Sequence, residues 1–373
     1  MSKRTEQNLY IPFVARFSAV VLLAFLAAPI VLSQNGRLVR ETLHSRSLEK
    51  TVTGESADRN VAVYLPPSYD KKVSERYPVI YLLHGIGDNE EEWTSNWSGN
   101  KEGYGTIPEL MDRGIAEGRF GEMIVVMPDE RTKAFGSFYV NSIVTGNWED
   151  FTAKDLVNYI DKKYRTIPEA KSRGIAGHSM GGYGAITLGM KHPEVFSVVY
   201  GLNPAVLGWS KDLTIENPAF RNVLTGKSVD ELLQKGIYSV AVVTLAQAFS
   251  PNPKRPPFFA DFPFADAGGK LQPAEPAFSL WQENFPVNMV KQYRTNLAKL
   301  RGLRFDSGYE DEYLFIPLNC RTLSAELTGN GIEHIFEEYN GDHRNRLHGR
   351  TGRIYTEVLP YFWLLLEPQS RNR

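Results

Sequence analysis

From about Leu43 onward, short apolar runs alternate with segments of helical periodicity, and this alternation restricts the fold more than any other feature of the chain. The runs are NVAVYLPP (from Asn60), PVIYLLHG (from Pro78), MIVVMPD (from Met123), RGIAGHS (from Arg173), SVVYGLNP (from Ser197), GLRFDSG (from Gly302) and EHIFEEYNG (from Glu333). Several are continuously apolar rather than alternating, as strands covered on both faces must be. Between them, DLVNYIDKKY repeats Leu156, Ile160 and Tyr164 along one stripe, GGYGAITLGMKHPEVF reads as a helix ending near Pro193, and LNCRTLSAEL precedes Gly329. The expectation is an α/β fold in one domain, with a mostly parallel central sheet and helices on both faces.

One span interrupts the pattern. Residues 203–300 are rich in Pro and aromatics, include SPNPKRPPFFADFPF, and read as an insertion ahead of the late strands, covering a site as a cap or substrate pocket. At the other end, Lys3, Arg4 and Arg16 precede an uncharged run over 17–33, with Val31 and Ser33 suited to a cleavage point. This reads as an export signal over 1–33, or alternatively a membrane anchor, ahead of a catalytic domain over 34–373 and implying a secreted or periplasmic location. The formal net charge of −1 gives no electrostatic footprint for nucleic acid. A single cysteine, Cys320, excludes an intrachain disulfide, so stability must come from core burial.

The run RGIAG, followed by the helical YGAITLGM, places GHSMG at a strand-to-helix junction. A turn this tight brings neighbouring backbone close, which Gly177 and Gly181 permit, and holds the Ser179 hydroxyl exposed as a nucleophile. The amide of Met180, at the helix start, points toward a developing oxyanion. A second amide is expected from HGIG after an early strand, from Ile86 or Gly87, with Ile86 the preferred partner of Met180.

A serine needs a base and an acid. With a chain order of serine, acid, histidine, His343 in the loop after the last strand is the leading base and His348 the alternative. RFDSGYEDEYL offers Asp306, Glu310, Asp311 and Glu312; Asp311, in the loop beyond the strand, is preferred over Asp306 at the strand end. No H-E-x-x-H, cysteine pair, EF-hand spacing or phosphate loop occurs, so neither metal nor other cofactor is expected.

With those residues located, the chain resembles the putative-esterase family of α/β hydrolases, which includes S-formylglutathione hydrolase, feruloyl and acetylxylan esterases and the secreted mycolyltransferases. The resemblance rests on GHSMGGYGA, FDSGYEDEYL, YNGDH and YLLHGIGD, and extends from about Asn60 to His348. It implies a serine carboxylic-ester hydrolase with an α/β-hydrolase fold, and selects Ser179, Asp311 and His343. PDERTKAFGSFYVNS resembles a cleft-lining segment, so Tyr139 joins Trp281 and Phe285 of the insertion as expected substrate contacts. The expected partner is a small-molecule or carbohydrate ester of feruloyl or acetyl type. Transfer of the acyl group to a sugar alcohol is the alternative with the same residues, and a non-catalytic binding protein on the same fold is the alternative from another class.

Overall fold

The computed structural model describes residues 35–95 and 105–368. The expected export signal lies outside the described residues, as does Asn96-Trp97-Ser98, which matches the pattern of a glycosylation sequon. Among the described residues, eight strands form one sheet: β1 (Arg37–His44), β2 (Asp58–Leu65), β3 (Val79–Leu83), β4 (Ile124–Pro128), β5 (Arg173–His178), β6 (Val198–Leu202), β7 (Gly302–Gly308) and β8 (Ile335–Tyr339). Their order across the sheet is β1-β2-β4-β3-β5-β6-β7-β8. β2 runs antiparallel to both its neighbours, and every pairing from β4 to β8 is parallel.

The continuously apolar runs are buried on both faces. In β3, Val79, Tyr81 and Leu83 join one core while Ile80 and Leu82 join the other. α1 (Ile107–Ala116) and α6 (Leu359–Leu365) cover the second face through Leu110, Met111, Leu359 and Phe362. α2 (Val157–Lys163), α3 (Met180–Lys191) and α5 (Phe315–Gly329) cover the first through Ile160, Ile186 and Leu323. Each such side chain contributes about 1.5–3 kcal/mol through burial, so the sheet-helix sandwich is held by apolar area. Cys320 is one of these fully buried groups.

Two features depart from the sequence reading. β1 carries Arg37, Arg40 and Glu41 and is only partly covered at the sheet edge, so no apolar run marks it. The insertion also contains more regular structure than its composition suggests, including α4 (Ile237–Phe249) and a two-stranded hairpin of Phe264–Ala267 with Lys270–Pro273. No helix among the described residues is long and apolar enough to cross a membrane.

Candidate active site

β5 ends at His178 and α3 begins at Met180, leaving Ser179 as the whole of the turn, with φ of 57°. A non-glycine residue in this region is strained, and such strain persists only where surrounding structure enforces it. The enforcement is visible in the two glycines. A Cβ on Gly177 would meet the Gly181 carbonyl oxygen at 2.3 Å, and one on Gly181 would meet the Leu83 carbonyl oxygen at 2.4 Å. Only glycine allows the elbow to close against the end of β3.

The loops after β7 and β8 bring the acid and the imidazole together. His343 Nδ1 lies 2.7 Å from Asp311 Oδ2, and both side chains are almost wholly enclosed. Asp311 Oδ1 accepts the Tyr313 amide at 2.8 Å, which fixes the carboxylate. The His343 carbonyl accepts from His178 Nε2 at 2.9 Å and from Asn203 Nδ2 at 3.0 Å, while Asn203 Oδ1 receives the Gly308 amide at 2.8 Å. Asn203 therefore ties the end of β6 to both loops. Asp306, by contrast, is spent on structure: its carboxylate accepts from Tyr200 and Arg353 inside the core. His348 packs its ring on Trp93, with centroids 5.6 Å apart.

A cavity of about 370 Å³ opens at Ser179 and His343, with Ile86, Gly87 and Met180 also in its wall. The Gly87 amide donates to the Phe135 carbonyl at 2.8 Å and so is already taken, whereas Ile86 lines the cavity. The loop is held from behind: Tyr139 donates its hydroxyl to the His84 carbonyl at 2.8 Å, and His84 Nε2 accepts the Glu130 amide at 2.8 Å.

The aromatic residues expected to touch substrate do not line this cavity. Tyr139 is buried beneath the loop just described. Trp281 stacks on Trp209 at 5.4 Å and donates its indole N–H to Ser250, and Phe285 meets Trp209 edge-on at 4.9 Å. These large rings satisfy the insertion's own core, so the cavity wall is left to smaller side chains on α4, among them Ile237, Ala241, Val242 and Leu245. Phe138, beside Tyr139, does line it. Sequence reasoning also missed Asn203, Tyr313 and Glu92, whose carboxylate accepts the Gly85 amide at 3.0 Å in the Ile86 loop. Glu92 stood in an acidic loop run and Tyr313 beside the acid, but nothing in their spacing sets them apart. Among the described residues, no group of three or more His, Cys, Asp or Glu side chains is arranged to hold a metal ion.

An elbow serine on a sheet of this strand order, with an aspartate–histidine pair on the loops after β7 and β8, defines an α/β-hydrolase-fold protein. The chain belongs to the family described as "Putative esterase", whose profile matches residues 54–347. It is 33% identical over 165 residues to an endo-1,4-β-xylanase/feruloyl esterase of Xylanibacter ruminicola, covering 43% of this chain and 21% of that protein. It is 34% identical over 133 residues to an esterase of Mycobacterium tuberculosis, covering 35% of this chain and 26% of that one. The matches thus span about a quarter or less of these relatives' own lengths. Among solved structures, a ferulic acid esterase superposes with a TM-score of 0.57 at 22% identity, covering 89% of this chain and 99% of the other. S-formylglutathione hydrolase from Agrobacterium tumefaciens gives 0.58 at 16% identity, over 90% and 97%. At these identities the structural likeness speaks for the fold alone.

Proposed function

We propose that the protein is a serine carboxylic-ester hydrolase working through an acyl-enzyme. The Ser179 hydroxyl attacks the ester carbonyl as His343 Nε2 takes its proton, giving a tetrahedral intermediate whose oxyanion is bound by the amides of Met180 and Ile86. Collapse breaks the bond to the alcohol oxygen, which leaves with the proton from His343. Water, deprotonated by the same imidazole, then attacks the acyl-enzyme, and the carboxylic acid departs as Ser179 regains its proton. Asp311 holds the imidazole with its Nδ1 proton inward and stabilises the imidazolium formed in each half.

The observation that carries this reading is the Asp311–His343 contact of 2.7 Å beside a cavity shared by Ser179 and His343. Family membership supports the ester as substrate, and the relatives' names bring feruloyl esters into consideration. The basic and then apolar N-terminal segment supports action on esters outside the cytoplasm.

Ser179→Ala tests the reading. Hydrolysis of p-nitrophenyl butanoate and covalent labelling by a fluorophosphonate should both be lost, with the fold unchanged by circular dichroism. Retention of wild-type turnover overturns it.

A further inference from the structure

The cavity wall bears on which acyl group is cleaved, taking ester hydrolysis at Ser179 as read above. We propose that the acyl portion of the substrate is an unsubstituted hydrocarbon, a chain of butanoyl to octanoyl size with no hydroxyl along it.

Asp88, Tyr313 and Arg344 adjoin the residues of the reacting centre, and Tyr238 reaches the cavity from α4. Asp88 follows directly on Gly87, and Arg344 follows His343 and meets the Asp88 carboxylate at 3.0 Å. Tyr313 stands edge-on to the His343 ring, with centroids 4.8 Å apart, and Tyr238 packs against Tyr313 at 5.5 Å with its hydroxyl already donated to Asp212. The rest of the wall is apolar and includes Val206, Leu213, Ala241, Val242, Leu245 and Ile316.

α4 shows how that apolar wall is built. Ile237, Ala241, Val242 and Leu245 recur at the spacing of one helix face and line the cavity. Of the polar residues of the same helix, Tyr238 also lines the cavity, with its hydroxyl donated to Asp212, while Thr244 donates to the Val240 carbonyl at 3.0 Å and Gln247 to the Phe258 carbonyl at 2.9 Å. Val206 and Phe138 reach the cavity from backbones with φ of 58° and 49°, a strain that a β-branched or aromatic residue rarely bears. Held strain at two apolar liners marks this wall as functional rather than leftover space.

A phenol hydroxyl brought against the aliphatic part of the wall loses its water partners and meets no acceptor on those side chains, lowering kcat/KM by roughly 5–150-fold. A hydrocarbon gains instead, about fourfold for each methylene buried. The volume of about 370 Å³ is near the lower end of ligand cavities, which limits chain length.

The test is kcat/KM of the full chain for p-nitrophenyl acetate, butanoate, hexanoate and octanoate, beside methyl cinnamate and methyl 4-hydroxycinnamate, which differ by one hydroxyl. The expected result is a rise of about tenfold or more from acetate to hexanoate, with cinnamate cleaved faster than its hydroxylated partner. Ala241→Phe, which places a ring on the cavity face of α4, should lower the octanoate-to-acetate ratio by about tenfold. A profile falling from acetate, or a preference for the hydroxycinnamate, overturns the acyl assignment and leaves ester hydrolysis standing. Fluorophosphonate labelling of Ser179 with none of these esters cleaved does the same. Absence of both labelling and hydrolysis overturns the reaction, and the acyl assignment with it.

Discussion

His178 Nδ1 and Glu92 Oε1 face each other at 3.7 Å, both enclosed and neither hydrogen-bonded, with Arg344 Nη1 3.8 Å from the same carboxylate oxygen. The other ends of these side chains are engaged: His178 Nε2 donates to the His343 carbonyl, and Glu92 Oε2 accepts the Gly85 amide at 3.0 Å. The pair thus links the loop bearing His343 to the loop bearing Ile86, behind Ser179. Burial, with His343 beside it, holds the His178 imidazole well below its usual pKa, so the ring is neutral. With its proton on Nε2, Nδ1 presents a lone pair to a carboxyl oxygen.

Replacing that oxygen with a donor should therefore be tolerated. Glu92→Gln keeps an acceptor for Gly85 and offers an N–H to His178 while giving up the 3.8 Å ion pair with Arg344, which keeps Asp88, so it is expected to melt close to the wild-type temperature. Glu92→Ala leaves the Gly85 amide without its acceptor and should cost about 1–3 kcal/mol. Thermal unfolding of the two variants side by side checks this; a Gln variant that melts as low as the Ala variant refutes it.

The two buried aspartates should separate by phenotype. Asp311→Asn is expected to lower kcat by roughly 10³–10⁴ with little change in melting temperature, because the amide misorients the imidazole while filling the same space. Asp306→Asn disturbs the pairing with Arg353 and Tyr200, so it should lose stability by several kcal/mol while the folded fraction retains turnover. Active-site titration with a fluorophosphonate, which counts folded sites, distinguishes the outcomes.

Tyr139→Phe removes the hydroxyl that holds the His84 carbonyl beneath the Ile86 loop. The carbonyl is left buried without that donor, at a cost of about 1 kcal/mol or more, and the loosened loop should lower kcat more than it raises KM. Steady-state kinetics on p-nitrophenyl butanoate measures the split; an unchanged kcat removes Tyr139 from any positioning role.

Stability should depend on pH through Glu149, which pairs with His192 at 2.8 Å and Lys191 at 2.7 Å at the end of α3. Burial alone would raise the Glu149 carboxyl, but the bond from His192 and the charge of Lys191 override it and bring it down to about 2. His192 is raised above 6.5 chiefly by its hydrogen bond to Glu149. A lowered acid stabilises above its unfolded pKa of about 4.5 and loses that contribution as pH falls toward 2. A raised histidine stabilises below about 6.5 and loses its contribution as pH rises through its folded value. Glu149→Gln should therefore destabilise most between about pH 4.5 and 6.5, and less on either side. Melting temperatures of wild type and variant across pH 3–8 would show a gap of that shape, and a flat difference would refute it.

Much of this molecule is written locally. Continuous apolar runs mark β3, β4 and β6 because strands buried on both faces admit little else, and GHSMG marks the elbow because only glycine fits at Gly177 and Gly181. The order of serine, acid and histidine along the chain put Asp311 and His343 ahead of Asp306 and His348, the family resemblance selected them, and the two meet in the fold. β1 escaped notice since an edge strand covered on one side tolerates charge. Tertiary structure alone decided the cavity wall. The insertion's largest aromatics, Trp281 and Phe285, gain most by burying against Trp209, leaving the wall to aliphatic residues of α4 whose roles depend on which helix face meets Ser179. The same holds for Asn203 and His178, whose partner His343 lies far along the chain, and for the approach of Glu92 to His178, so no local spacing distinguishes these polar groups.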